Sequence, residues 1–123
     1  MSDIDRKALT RQYKETPRTA GVFRVRNVRD GVSLVGASVD VPAMLNRQRS
    51  QLEFGGHPNK RLQADFDSLG EASFAFETLD VLDPAEDPEA DLSEELAELE
   101  LMWRERLTAE GEQFYNLKPG RLH

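Results

Sequence analysis

Residues 21–36 read GVFRVRNVRDGVSLVG. Apolar and polar residues alternate on both sides of Asp30-Gly31, the pattern of two strands joined by a tight turn. Val22, Arg24 and Arg26 point to one side of the first strand, and Phe23, Val25 and Asn27 to the other. Asp30-Gly31 suits a two-residue hairpin loop because both positions tolerate positive φ. With those two residues as the loop, Asn27 faces Leu34 and Val25 faces Gly36. Phe23, Val25, Val32 and Leu34 then share one face, and none of them carries a chemical handle.

Working outward, Asp40 and Pro42 are helix-start residues, and Val41, Leu45 and Leu52 form the apolar stripe of the helix that follows. Arg47 and Arg49 flank that stripe on opposite sides, with Met44 one turn before Arg47. Gly55-Gly56 breaks the chain, Pro58 restarts it, and Leu62, Phe66 and Leu69 mark a second helix ended by Gly70. Phe74 to Val81 reads as a strand with Phe74 and Phe76 on one face. The stretch DPAEDPEAD, residues 83–91, is an acidic loop punctuated by proline. Asp91 and Glu94 form a D-x-x-E capping pattern for a last helix with the stripe Leu92, Leu96, Leu99, Trp103 and Leu107. Glu94, Glu95, Glu98 and Glu105 project away from that stripe, while Glu100 falls at its edge. A short helix over Asp3–Tyr13 precedes the hairpin, its Arg6, Lys7, Arg11 and Lys14 forming a solvated face. The order predicts an α+β domain: a small three-stranded antiparallel or mixed sheet flanked by helices.

A chain of 123 residues supports one core and one principal site. The absence of cysteine excludes disulfides, thiolate catalysis and cysteine-based zinc sites. No apolar run is long enough to cross a bilayer, and the N-terminal MSDIDRKALTRQYKETP has no apolar core, so no membrane association and a cytoplasmic location are expected. Residues 1–70 hold 12 Lys or Arg against 8 Asp or Glu, whereas residues 71–123 hold 4 against 15. The swing from +4 to −11 lets the first half hold an anionic ligand, while the acidic second half repels it or binds a cation.

The blocks Gly21-Val22-Phe23 and Leu34-Val35-Gly36, the phrase HPNKRLQADFDSLGEASFAFETLD, and ELELMW followed by FYN together resemble the GIY-YIG nuclease family. The resemblance covers about residues 18–118, leaving residues 1–17 as a helical extension and 119–123 as a tail. It implies a three-stranded antiparallel sheet flanked by helices and cleavage of DNA phosphodiesters with one divalent ion, Mg²⁺ or Mn²⁺. The two motif tyrosines of the family fall on Phe23 and Leu34, so both hydroxyls are missing. Its helix arginine falls on Met44, with Arg47 the nearest substitute, and a frequent histidine falls on Gln48. Its metal-binding glutamate matches Glu100, three residues before Trp103, and the asparagine of its closing YN matches Asn116.

The resemblance therefore implies Glu100 as the catalytic metal ligand, Arg47 as the nearest substitute for the catalytic arginine, and Asn116 as a substrate contact; guanidinium chemistry makes Arg49 a further phosphate contact, and Lys60, in the first turn of a helix, adds to the same surface. A carboxylate beside a buried stripe loses hydration unless something compensates, and the alternative for Glu100 is a salt bridge to a nearby Arg or Lys. His57 reads as a loop or capping residue. With no residue in view to act as the base, three readings stand: a metal-dependent DNA endonuclease with weak or absent cleavage, a catalytically silent nucleic-acid binder, and a protein-interaction module using the acidic run from Asp80 to Glu100.

Overall fold

The computed structural model describes residues 19–84, 87 and 89–116. The expected helix over Asp3–Tyr13, with the whole of the two terminal segments 1–17 and 119–123, lies outside them. Strands β1 (Gly21–Asn27) and β2 (Val32–Ser38) form the hairpin. Helices α1 (Val41–Phe54) and α2 (Lys60–Leu69) follow, then a 3₁₀ turn (Glu71–Ser73) and strand β3 (Phe74–Val81). Helix α3 (Ser93–Ala109) and a two-residue strand β4 (Gln113–Phe114) complete the domain. The sheet order is β3-β1-β2-β4, antiparallel except for β4, which runs parallel to β2. The fold is α+β as expected, with four strands in place of three; a two-residue pairing is too short to leave a periodic signal.

The hairpin register differs from the expected one. Asn27 pairs with Val32, Val25 with Leu34 and Phe23 with Gly36, leaving a four-residue turn over residues 28–31. Asn27 sets this turn: its side-chain oxygen accepts from the N–H of Arg29 and of Asp30, each at 3.1 Å, and its amide donates to Asp30 at 3.0 Å. Gly31 closes the turn at φ +69°, donating to the Asn27 carbonyl at 2.9 Å. Because the shift is an even number of residues, each side chain keeps its face.

The glycines that bracket the stretch are both required by close approach. A Cβ on Gly21 would meet the carbonyl oxygen of Asp80 on β3 at 2.0 Å. On Gly36 it would lie 2.9 Å from the tip of the Phe23 ring, which packs over it from the neighbouring strand.

Both faces of the sheet are covered. Phe23, Val25, Val32 and Leu34 pack with Val41, Met44 and Leu52 of α1, Leu62 and Phe66 of α2, and Phe74 and Tyr115. On the other face Val22 and Val35 meet Leu107, with Leu99 and Trp103 half-buried beside them. Arg24 and Arg26 are accommodated by ion pairs, Arg24 to Glu77 at 2.6 Å and Arg26 to Glu112 at 3.0 Å.

Two expectations for α3 are corrected. It begins at Ser93 with no side-chain cap; the Asp91 carboxylate instead accepts from the Ser93 N–H at 2.9 Å and from its hydroxyl. Its inward stripe is Leu96, Glu100, Arg104 and Leu107, rotated from the purely apolar one, so Glu100 lies under the helix at 2% exposure. Glu94, Glu95, Glu98 and Glu105 are exposed, as expected. No helix among the described residues is long and apolar enough to cross a membrane.

Candidate functional site

A pocket of about 180 Å³ opens between the hairpin and α1. Its floor is apolar: Phe23 from β1, Leu34, Val35 and Gly36 from β2, and Met44 from the first turns of α1. Its rim is polar, formed by Arg47, Gln48 and Gln51 on α1, the segment His57-Pro58-Asn59 that leads into α2, and Asn116 from the chain beyond β4. The two glycine blocks and both loop-borne amides thus converge on one cleft.

Local sequence explains why these groups stay in place. Asp40 caps α1 by accepting from the Ala43 N–H at 3.2 Å, and Gly55 ends it in the left-handed region at φ +79°. Asn59 caps α2 through the Leu62 N–H at 3.0 Å and donates to the Tyr115 carbonyl at 3.2 Å, pinning the segment after β4 to the pocket. Asn116 grips one residue of β2 at both ends: its side-chain oxygen accepts from the Val35 N–H at 3.1 Å and its amide donates to the Val35 carbonyl at 2.6 Å.

The expected site residues separate into two groups. Phe23, Leu34, Arg47 and Asn116 meet at the pocket. Arg47 is exposed and has no hydrogen bond or ion pair among the described residues, so its guanidinium is available to a phosphate. Arg49 points elsewhere, paired with Glu71 at 2.8 Å and lying 4.4 Å over the Phe76 ring. Lys60 is exposed at the first position of α2, outside the pocket wall.

Glu100 also lies outside the pocket wall. Arg104, one turn later, donates to its carboxylate at 2.8 Å and to the carbonyls of Asn116 and Val35 at 2.8 Å each. Of the two alternatives for this carboxylate, the salt bridge is the one seen. Sequence reasoning passed over Arg104, although a Glu–Arg pair at i, i+4 signals such a bridge. Mg²⁺ takes near-octahedral oxygen ligands, several of them waters, around one or two carboxylates. Here the single carboxylate, at 2% exposure, is already balanced by the Arg104 guanidinium, and no three His, Asp or Glu side chains gather to hold an ion among the described residues. This donor set, as folded, does not fit a divalent ion.

His57 is the second residue that sequence reasoning undervalued. It is buried at 4% exposure in the pocket wall and touches Gln48, the position on which the family histidine falls. Its Nδ1 accepts from the Asn59 N–H at 3.0 Å, so the ring proton sits on Nε2 and is donated to the Gln48 side-chain oxygen at 2.5 Å. Burial holds the imidazole below its ordinary value, in the neutral form. With one ring nitrogen donating and the other accepting, it has no lone pair to offer as a base. The only tyrosine among the described residues, Tyr115, donates its hydroxyl to Asp65 at 2.7 Å and accepts from Asn27 at 3.1 Å, away from the pocket wall. Burial pushes its pKa up to about 12. The cleft can therefore bind an anion through Arg47 but, among the described residues, presents no base poised to activate water.

No protein-family model matches the sequence, and no curated protein matches it. Two solved structures share its fold. A mutant of the catalytic domain of intron endonuclease I-TevI aligns with a TM-score of 0.65 at 22% identity, over 85% of this chain and 99% of that one. The catalytic domain of homing endonuclease I-TevI aligns with a TM-score of 0.61 at 24% identity, over 80% of this chain and 98% of that one. The hairpin and flanking helices thus agree with the expectation drawn from the resemblance, and the chain has a GIY-YIG-like fold.

Proposed function

We propose that this chain is a nuclease-fold domain that binds DNA at the pocket between the hairpin and α1, with Arg47 on a phosphate, and that it hydrolyses phosphodiesters weakly or not at all. The observation that carries this reading is the division of labour between two residues. Arg47 is unspent at the pocket rim, whereas Glu100 is neutralised beneath it by Arg104. Binding a phosphate asks only for the first, while cleavage asks for a base or a metal-bound water as well. Phe23 and Leu34 keep the packing volume of the floor and supply no proton-transfer group.

A metal-dependent endonuclease is the second reading. What favours it is position: Arg104 ties Glu100 to Val35 of the second glycine block and to Asn116, so the carboxylate is one side chain removed from the cleft. Cleavage by that route requires Glu100 to exchange its guanidinium for an ion. Incubation of supercoiled plasmid with pure protein in Mg²⁺, Mn²⁺ or EDTA separates the two. A mobility shift with at most trace, EDTA-insensitive nicking is expected. Robust nicking that EDTA stops, lost in a folded Glu100→Gln variant, selects the endonuclease, and the absence of any shift at low salt removes the binding reading.

A further inference from the structure

Three residues of α1 carry chemistry that the fold does not use. Arg47, Gln51 and Phe54 fall within an arc of about 60° on the helix, spaced at i, i+4 and i+7. Arg47 and Gln51 line the pocket, and neither side chain has a hydrogen-bond partner among the described residues. Phe54 ends the row at 88% exposure, two residues past the buried Leu52 and so turned away from it. An aromatic ring standing almost wholly in water costs solvation and contributes nothing to packing here.

The charge around it points to one occupant. Over α1 and α2, residues 41–69 hold Arg47, Arg49, Lys60 and Arg61 against Glu53, Asp65 and Asp67; Arg49 is paired with Glu71, which leaves Arg47 as the unpaired cation of the row, while the acidic face of α3 lies across the sheet. A cation for a phosphate, an amide for a base edge and an exposed ring for a base face, in line along about 10 Å of helix, are what a protein presents to an unpaired strand. A duplex keeps its base faces stacked and leaves such a ring unused. Resting on the DNA-binding reading above, we infer that the Arg47–Gln51–Phe54 row binds a single-stranded stretch of DNA, a phosphate on Arg47 and an unstacked base on Phe54.

The test is fluorescence anisotropy with a labelled single-stranded oligonucleotide and with the same sequence as a duplex, for wild type, Phe54→Ala and Phe54→Trp. Wild type is expected to prefer the single strand. Phe54→Ala should lose about tenfold in single-strand affinity, duplex affinity should hold, and Phe54→Trp should restore the preference. Since Phe54 is outside the core, its variants should melt with the wild type. Duplex binding with no response to Phe54 overturns this inference alone, and failure to bind either form overturns it together with the DNA reading. Sedimentation showing a dimer that Phe54→Ala dissolves assigns the ring to a second copy of the chain and overturns it as well.

Discussion

Glu100 and Arg104 stand one turn apart on α3, carboxylate and guanidinium 2.8 Å apart and both buried. The remaining donors of Arg104 reach the main chain of Val35 and Asn116, so this pair joins α3, β2 and the segment after β4 into one network. Removing one partner leaves a buried charge uncompensated. Arg104→Met should therefore cost about 3–5 kcal/mol in urea denaturation. Glu100→Leu combined with Arg104→Met should cost clearly less than the sum of the single changes. Additive losses would show that the pair is not coupled.

Gly21 and Gly36 make a second prediction because their neighbours differ in freedom to move. At Gly36 the obstacle is the tip of the Phe23 ring, which can shift, so Gly36→Ala should cost about 1–3 kcal/mol. At Gly21 it is the backbone of Asp80, which cannot move without parting β1 from β3. Thermal melts should show Gly21→Ala as the more damaging, and equal melting temperatures would contradict the close approach of the two strands.

How far the sequence discloses this molecule depends on the range of each interaction. Strand and helix positions, and the face that carries Phe23, Val25, Val32 and Leu34, follow from local periodicity. The turn does not, because Asn27 recruits both Asp30 beside it and Tyr115 far along the chain. Strand β4 is invisible for the same reason: it exists only because β2 offers a free edge. Of the site, Arg47 and Asn116 are legible from motif spacing. The state of Glu100 depends on where α3 rotates, and a charged stripe buried by mutual neutralisation looks from composition like a solvated one. His57 looks like a loop residue until α1 and α2 close around it.

Stability should depend on pH at both ends of the range. The folded state holds His57 below its ordinary value, so below about 6.5 the unfolded chain binds a proton that the folded chain refuses, and stability falls as pH drops through that region. Tyr115 is raised to about 12, so between about 10 and 12 the unfolded chain releases a proton that the folded chain keeps, and stability falls as pH rises. Denaturation midpoints measured across pH should lose the acid limb in His57→Gln and the alkaline limb in Tyr115→Phe. A limb that survives its own substitution contradicts the assignment.

The contrast between Arg47 and Arg49, two residues apart on one helix, tests the central claim most directly. Arg47 is unspent at the pocket, while Arg49 is held by Glu71 and Phe76. DNA affinity should be measured by anisotropy across a salt series for wild type, Arg47→Ala and Arg49→Ala. Arg47→Ala should weaken binding and lower the slope of log affinity against log salt by about one, as loss of one phosphate contact requires, with the fold unchanged. Arg49→Ala should leave the slope as it is. An unchanged slope in Arg47→Ala, or an equal fall in both variants, would contradict a phosphate seat at the pocket.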